Sequence, residues 1–138
     1  MQGQEQTEFQ YTGLKTLRID PEGRRLEIEE NVDGHVARST ELGTLAVPRS
    51  ITMQYGYREF GSLGTATDAG GNVTTFQYDR LGRRTAVLSP DAGYRGFGYN
   101  SWSEVVREAT ATGNRDLRRD ALGRLTQLDT SDGATTLS

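Results

Sequence analysis

Carboxylates are the most numerous groups in this chain that could take part in acid–base chemistry. The 138 residues include 19 aspartates and glutamates, one histidine and no cysteine. Two carboxylates at a suitable separation can hydrolyse a glycosidic bond, but such pairs also arise by chance in any acidic sheet. Because the aspartates recur at turns, we predict a structural role for them, no enzyme activity and no catalytic residues. The alternative is a glycosidase, for which the available carboxylates are Glu59, Asp68, Asp79, Asp91 and Glu104.

Metal and cofactor chemistry has little support in the composition. The absence of cysteine excludes disulfides, thiolate metal sites and a cysteine nucleophile. A single histidine, His35, excludes a metal site built from several histidines, and its position after Asp33-Gly34 favours a turn residue over a catalytic base. We therefore predict no metal site and no cofactor.

The basic residues do not form a surface for nucleic acid. The net charge is −3, and 16 basic residues, all but Lys15 arginines, are interspersed among the acidic ones. A protein that tracks a phosphate backbone needs a basic patch or stripe, which this sequence lacks. We predict that the arginines after turn glycines, such as Arg83 and Arg124, pair with neighbouring carboxylates, and that the chain does not bind nucleic acid.

A short turn motif returns along the chain and indicates a repeat architecture. Its clearest copy is Tyr78-Asp79-Arg80-Leu81-Gly82-Arg83. The carboxylate of an aspartate at the first position of a type I turn can accept hydrogen bonds from backbone amides two residues on. The glycine supplies a positive φ. Positions that match Tyr78 recur at intervals of 18 to 21 residues, at Ile19, Ser39, Tyr57, Tyr99 and Arg119.

The residues assigned to this motif are predicted to be structural. They are Asp20, Gly23, Arg24, Tyr57, Tyr78, Asp79, Gly82, Arg83, Tyr99, Asn100, Asp120, Gly123 and Arg124.

A second reversal signal, for example Pro90-Asp91-Ala92-Gly93, follows half a period after each motif. Two turns in about 20 residues leave two segments of about six residues, the usual length of a strand. The fold class is therefore predicted to be all-β, a repeat array of antiparallel β-hairpins. Aromatic residues two apart near the strand ends, such as Phe76 with Tyr78 and Phe97 with Tyr99, share a face and predict an aromatic ladder.

These residues resemble the YD repeat, also called the Rhs repeat. The resemblance rests on residues 78–83, on Pro90-Asp91-Ala92-Gly93 and on Phe97-Gly98-Tyr99-Asn100, with weaker copies back to about Leu17. In this family, which includes bacterial Rhs effectors, Tc toxins and teneurins, a long β-ribbon winds into a spiral shell. In the effectors and toxins the shell encloses a toxic domain.

The resemblance implies a function for this chain. We expect a curved sheet or a segment of a spiral β-shell, which encapsulates or presents a toxin or effector domain and which is secreted or at the cell surface of a bacterium. It implies that the chain is a fragment whose partners are further repeats or a toxin domain of a longer chain. We expect residues 1–16 to be an N-terminal tail or partial repeat, and residues 17–138 to be a single domain of about six repeats.

Two further expectations concern partners. The alternative function is an extracellular carbohydrate-binding or adhesion module, in which Trp102 and Tyr94 are the possible ligand-binding residues for a glycan. Unpaired strand edges at the ends of the array predict a homo-oligomer. The amino terminus is polar, without the basic and apolar regions of a signal peptide. No stretch approaches the ~20 apolar residues of a membrane span.

Overall fold

Strands and turns make up almost all of the chain. The computed structural model describes residues 7–44, 47–131 and 133–136, and in these ranges the only helical segment is a 3₁₀ turn, Glu59–Gly61. The strands are β1 (Glu8–Thr12), β2 (Lys15–Ile19), β3 (Arg25–Glu30), β4 (Val36–Leu42), β5 (Ile51–Tyr57), β6 (Leu63–Thr67), β7 (Val73–Tyr78), β8 (Arg84–Ser89), β9 (Gly93–Tyr99), β10 (Val105–Thr110), β11 (Gly113–Arg119), β12 (Leu125–Thr130) and β13 (Gly133–Thr136).

The chain divides into two compact units, Met1–Val73 and Thr74–Ser138. In the first unit, β1 to β6 pair in sequence order, each antiparallel to the next. In the second unit, β7 to β13 do the same. Successive turns in a unit therefore lie at alternate ends of its strands. The predicted fold class, an all-β array of antiparallel hairpins, is confirmed.

The strands form where β-branched and aromatic residues are concentrated, as in β7 (VTTFQY) and β8 (RTAVLS). Full burial is rare. Among the residues whose burial is described, the only buried apolar residue is Ala86 and the only buried polar residue is Thr40. Most strand residues are half-buried, as in β12, so backbone pairing and side-chain contacts between neighbouring hairpins stabilise the described sheet in place of a fully buried core.

The predicted turns are present. Backbone hydrogen bonds close turns at Asp20 to Gly23, Asp79 to Gly82 and Asp120 to Gly123, and Ser89 pairs with Gly93 across the turn that contains Asp91.

The boundary predicted between an N-terminal tail and the repeats is not a boundary between strands. Residues 1–6 lie outside the described ranges, but β1 pairs with β2 from Glu8↔Ile19 to Thr12↔Lys15. The boundary predicted between residues 16 and 17 therefore falls inside β2. That residues 17–138 behave as a single domain stays a prediction.

Candidate functional site: the joints between turns

Six turns share one pattern of hydrogen bonds around an Asp or Asn. In turn 79–83, Gly82 N–H donates to the carbonyl of Asp79 (3.1 Å), and Asp79 N–H donates to that of Arg83 (2.9 Å). The Asp79 carboxylate Oδ1 accepts from the N–H groups of Leu81 (2.9 Å) and Arg83 (3.0 Å). This is a type I turn followed by a left-handed glycine, a common three-residue hairpin loop. The six turns are residues 20–24, 31–35, 68–72, 79–83, 100–104 and 120–124.

Left-handed backbone closes the turns where glycine was predicted. Gly82 and Gly123 have φ of +76° and +78°, as the sequence analysis predicted. In turn 100–104 the equivalent residue is Ser103, at φ +64°. A non-glycine residue there is strained.

A β-bulge marks which turns are equivalent. After turn 79–83, Tyr78 pairs with Arg84 but Gln77 pairs with Ala86, so Thr85 is an extra residue. The same extra residue follows four other turns, 31–35, 58–62, 100–104 and 120–124. The extra residues are Ala37, Gly64, Thr85, Val106 and Thr126.

The register predicted for the weak copies before residue 57 is wrong. Turn 20–24 has no bulge, because Ile19 pairs with Arg25 and Arg18 with Leu26, and it joins β2 to β3. Ser39 lies inside β4. In the first unit the turns that share the bulge of turn 79–83 are 31–35, which starts at Asn31, and 58–62. The connection between β4 and β5, residues 43–50, is longer than the other connections. The interval of 18 to 21 residues is therefore not kept in this part of the chain, and the copies placed by that interval are out of register.

Arg83 joins its own turn to the next equivalent turn in the second unit. Its Nε and Nη2 both lie 2.7 Å from Asp79 Oδ2. Nη1 donates to the carbonyl of Asn100 (3.1 Å) and the hydroxyl of Ser103 (3.4 Å), and the guanidinium carbon lies 4.7 Å from the centre of the Tyr99 ring. The Arg83 side chain is 23% exposed, against 67% for Arg24 and 73% for Arg124, which make no such link.

Tyr99 completes this contact between two hairpins. We call such a contact a joint: the fifth residue of one turn lies against the tyrosine that precedes the next equivalent turn. Its hydroxyl donates to the carbonyl of Arg84, the residue after the turn (2.7 Å). A cation over an aromatic face contributes about 0.5–2 kcal/mol according to its exposure, so ring, guanidinium and backbone form one connected contact between two hairpins.

The first unit contains the same joint with histidine in the arginine position. His35, the fifth residue of turn 31–35, stacks on Tyr57 with ring centres 4.7 Å apart. The Tyr57 hydroxyl donates to the carbonyl of Val36, again the residue after the turn (2.8 Å). Gly61 lies so close that a β-carbon there would be 2.7 Å from His35 Nε2. His35 therefore occupies the place of Arg83, and Tyr57 that of Tyr99.

Comparison with known proteins identifies the repeat. Residues 63–94, which include turns 68–72 and 79–83, match the family described as RHS Repeat. The predicted resemblance to the YD or Rhs repeat is thus confirmed. No curated protein sequence matches the chain significantly.

Solved structures give the same fold. A chain in the crystal structure of TcdB2–TccC3–Cdc42 superposes with a TM-score of 0.66 over 90% of this chain, at 15% sequence identity. This chain spans about 9% of the length of that chain. At this level of identity the likeness concerns the fold alone.

The residues predicted to form the repeat motif fall into three groups. Tyr57, in the first unit, lies beside turn 58–62 and pairs with Leu63 across it. Those of the second unit lie in or beside the equivalent turns 79–83, 100–104 and 120–124. Asp20, Gly23 and Arg24 form a turn of the same local geometry without the bulge, at the other end of the strands from turn 31–35. Their shared structural role in the RHS repeat stays a prediction. Sequence reasoning missed Asn31 and His35, because asparagine and histidine replace the motif's aspartate and arginine.

The predicted arginine–carboxylate pairs are confirmed. Arg24, Arg83 and Arg124 hold Asp20, Asp79 and Asp120, with Nε–Oδ2 distances of 2.6, 2.7 and 2.8 Å.

The predicted aromatic ladder is wrong for the hairpins of the second unit. No contact between aromatic rings is found there among the described side chains. Instead the Arg83 guanidinium lies over Tyr99, and those of Arg84 and Arg95 lie 5.6 and 5.9 Å from the centre of the Phe97 ring. Strands in a sheet are about 4.8 Å apart. Tyr78 and Tyr99 are two strands apart, about 9.6 Å, so a guanidinium fills the space that two rings cannot bridge.

The two aromatic residues proposed for glycan binding are not brought together. Tyr94 is the second residue of β9, and its hydroxyl oxygen would lie 2.5 Å from a β-carbon at Gly96. Trp102 lies in the turn beyond the other end of β9 and is 84% exposed. From Tyr94 to Tyr99 alone the strand runs about 17 Å at ~3.4 Å per residue. A glycan site that uses either residue stays a prediction.

The turn hydrogen bonds lower the pKa of four aspartates. For Asp120, the backbone N–H and then the guanidinium of Arg124 lower the pKa, and for Asp68 the side-chain amide and then the backbone N–H of Asn72 do so. For Asp79 and Asp20, burial is the largest single effect and raises the pKa. The hydrogen bonds from Arg83 and Arg24 together outweigh it, so both pKa values are lowered.

In the described ranges, no group of three or more histidine, cysteine, aspartate or glutamate side chains is placed to hold a metal ion. No helix in these ranges has the length and apolar character that a membrane crossing needs.

Proposed function

We propose that this chain is a structural segment of a shell wall, which encapsulates or presents a toxin or effector domain and has no catalytic role. The observation that carries the proposal is the construction of the joints. Turn residues such as Arg83 and His35 fasten one hairpin to the next equivalent hairpin, while the described strands are mostly half-buried and contain only two buried side chains, those of Ala86 and Thr40. A sheet built in this way can be extended by further repeats without needing a core of its own.

The comparisons support the same role. Residues 63–94 match the RHS Repeat family, and the fold of the chain matches part of a far longer chain in the TcdB2–TccC3–Cdc42 structure. We infer that its partners are further repeats and a toxin domain, and that it acts outside the cell that makes it, secreted or at the surface. The edge of β1 that does not pair with β2 would pair with a neighbouring repeat or with another copy of the chain.

Three observations test this proposal. The coding sequence on either side should encode further repeats and a variable domain, and electron microscopy of that longer polypeptide should show a closed wall around the domain. In limited proteolysis the enclosed domain should survive until the wall is cut. A longer polypeptide in which the domain is cleaved at the same rate with and without the repeats would contradict the proposal.

A further inference from the structure

Four departures from the repeat meet at one place in the second unit. In turn 100–104 a tryptophan, Trp102, replaces the leucine of turns 79–83 and 120–124, and Ser103 replaces glycine in spite of its φ of +64°. Glu104 replaces the motif arginine. Arg119 is the residue just before turn 120–124. Tyr57 and Tyr99 have the same position before the turns of the other joints, so Arg119 replaces a tyrosine. Strained residues persist where surrounding structure or function requires them, so this joint differs in purpose from the others.

An open groove results from these replacements. It has a volume of about 760 Å³ and runs between turn 100–104 and turn 120–124. The tyrosine of the other joints is absent from it, because Arg119 stands in that position. One side is apolar, with Trp102 84% and Leu122 77% exposed. The polar lining includes Asn100, Glu104 and Arg119.

Arg119 leaves one edge of its guanidinium unused. Nη1 donates to the carbonyl of Gly123 (3.1 Å), whereas Nε is buried and has no hydrogen-bond partner among the described residues. A buried donor without a partner is costly. Elsewhere in this chain the same Nε edge holds a carboxylate at 2.6 to 2.8 Å, in Arg24, Arg83 and Arg124.

Glu104 also lines the groove and could supply a carboxylate for Arg119, but its carboxylate already has another partner. Oε2 accepts from Asn100 Nδ2 at 2.8 Å, and Oε1 lies 2.8 Å from the place that a β-carbon of Gly123 would take. The carboxylate of Asp120 is held by Arg124 and by its own turn. Neither of these two carboxylates therefore bonds Nε of Arg119.

We propose that this groove binds a peptide segment in which a carboxylate lies next to an apolar side chain. The carboxylate pairs with the guanidinium of Arg119, which lines the groove, and the apolar side chain packs on Trp102 and Leu122. Glu104 repels the incoming carboxylate and keeps the affinity of the groove moderate. This interaction is independent of the proposed shell function, since it requires only turns 100–104 and 120–124.

The single tryptophan makes the groove easy to observe. The probe is N-acetyl-L-phenylalanine, titrated at neutral pH and constant ionic strength, and the signal is the indole N–H resonance and fluorescence of Trp102. N-acetyl-L-phenylalaninamide is the matched control, because it has the same ring without the charge. We expect a saturable change with the acid and at least roughly tenfold weaker binding of the amide, as loss of a charge-assisted hydrogen bond predicts.

Variants separate the groove from the neighbouring surface. Arg119→Gln should weaken binding of the acid by roughly tenfold or more, and Arg119→Tyr, which restores the motif, should abolish it. Arg107→Gln is the control, since Arg107 pairs with Asp116 and is not among the residues that line the groove, and it should bind as the unaltered chain does. Glu104→Gln should bind the acid more tightly.

Several results would overturn the proposal. These are equal binding of acid and amide, full binding by a folded Arg119→Gln or Arg119→Tyr variant, or no change at Trp102 at all. A methyl glycoside that shifts Trp102 when the acid does not would make the groove a saccharide site instead. The comparison of acid with amide needs no variant, so it holds even if a substitution prevents folding.

Discussion

The joint at Tyr99 and the joint at Tyr57 are built on the same plan from different residues. In the second unit a guanidinium, Arg83, lies 4.7 Å from the ring and also bonds to the next turn. In the first unit an imidazole, His35, lies at the same distance from the ring of Tyr57 and has a buried Nδ1 without a partner among the described residues. The repeat thus keeps the position of a flat side chain over a ring and allows its identity to change.

The difference teaches how the array is stabilised. The hydroxyls of Tyr57 and Tyr99 make equivalent bonds to the residue after the turn, so the tyrosine is the fixed part of the joint. Only arginine also reaches the carbonyl of the next turn. A joint with arginine should therefore hold its hairpins more firmly than a joint with histidine.

The largest expected effect comes from the glycine that closes the turn beneath the arginine joint. Gly82→Val should destabilise the chain by about 2 kcal/mol, because a β-branched residue at φ +76° is strained. No atom lies within 4 Å of the new β-carbon, so the cost comes from the backbone alone. Chemical denaturation followed by Trp102 fluorescence measures it, and an unchanged midpoint would show that the turn tolerates any residue.

Removal of the joint arginine should have the next largest effect. Arg83→Ala loses the Tyr99 contact, the bond to Asn100 and the pair with Asp79, for an expected cost of about 1–2 kcal/mol. Arg124→Ala is the matched control, because Arg124 is 73% exposed and pairs only within its own turn. It should cost less than about 0.5 kcal/mol. Equal costs for the two variants would remove the distinction between a joint and a turn.

The turns themselves could be predicted from the sequence, but the joints could not. Asp79, Gly82 and Arg83 act within five residues, so their roles follow from local geometry. The stacking of His35 on Tyr57 depends on strand pairing across 22 residues, and the connection 43–50 shifts that spacing. Ser103 was not predictable either, because its backbone contradicts the preference of the residue.

Arginine in the histidine joint should make the two units more alike. His35→Arg is expected to stabilise the chain by about 0.5–1 kcal/mol, since a guanidinium over Tyr57 adds a cation–π contact. Thermal unfolding measures the change, and His35→Gln, which has no ring and no charge, is the control. A destabilised arginine variant would mean that the two joints differ in shape as well as in residue.

Acid should weaken the turns that contain aspartate and spare those that contain asparagine. The lowered pKa of Asp79 and of Asp120 means that folding favours the charged form. Their contribution is therefore complete above the ordinary aspartate pKa of about 3.9 and is lost as the pH falls through the lowered values.

An asparagine variant isolates this effect. Asp79→Asn keeps an Oδ1 acceptor, as Asn31 and Asn100 do, but it cannot titrate. The variant should lose less unfolding free energy between about pH 5 and pH 2 than the unaltered chain, in denaturation series at both pH values. An equal loss in both proteins would show that these turns do not cause the acid sensitivity.

The most direct test of the account is a double-mutant cycle between Arg83 and Tyr99. Its central claim is that side-chain joints, and not a core, fasten one hairpin to the next. Unfolding free energies are measured for the unaltered chain, Arg83→Ala, Tyr99→Leu and the double variant. We predict a coupling energy of about 0.5–1 kcal/mol. Costs that add to within about 0.3 kcal/mol would show that the two side chains do not act together, which would contradict the claim.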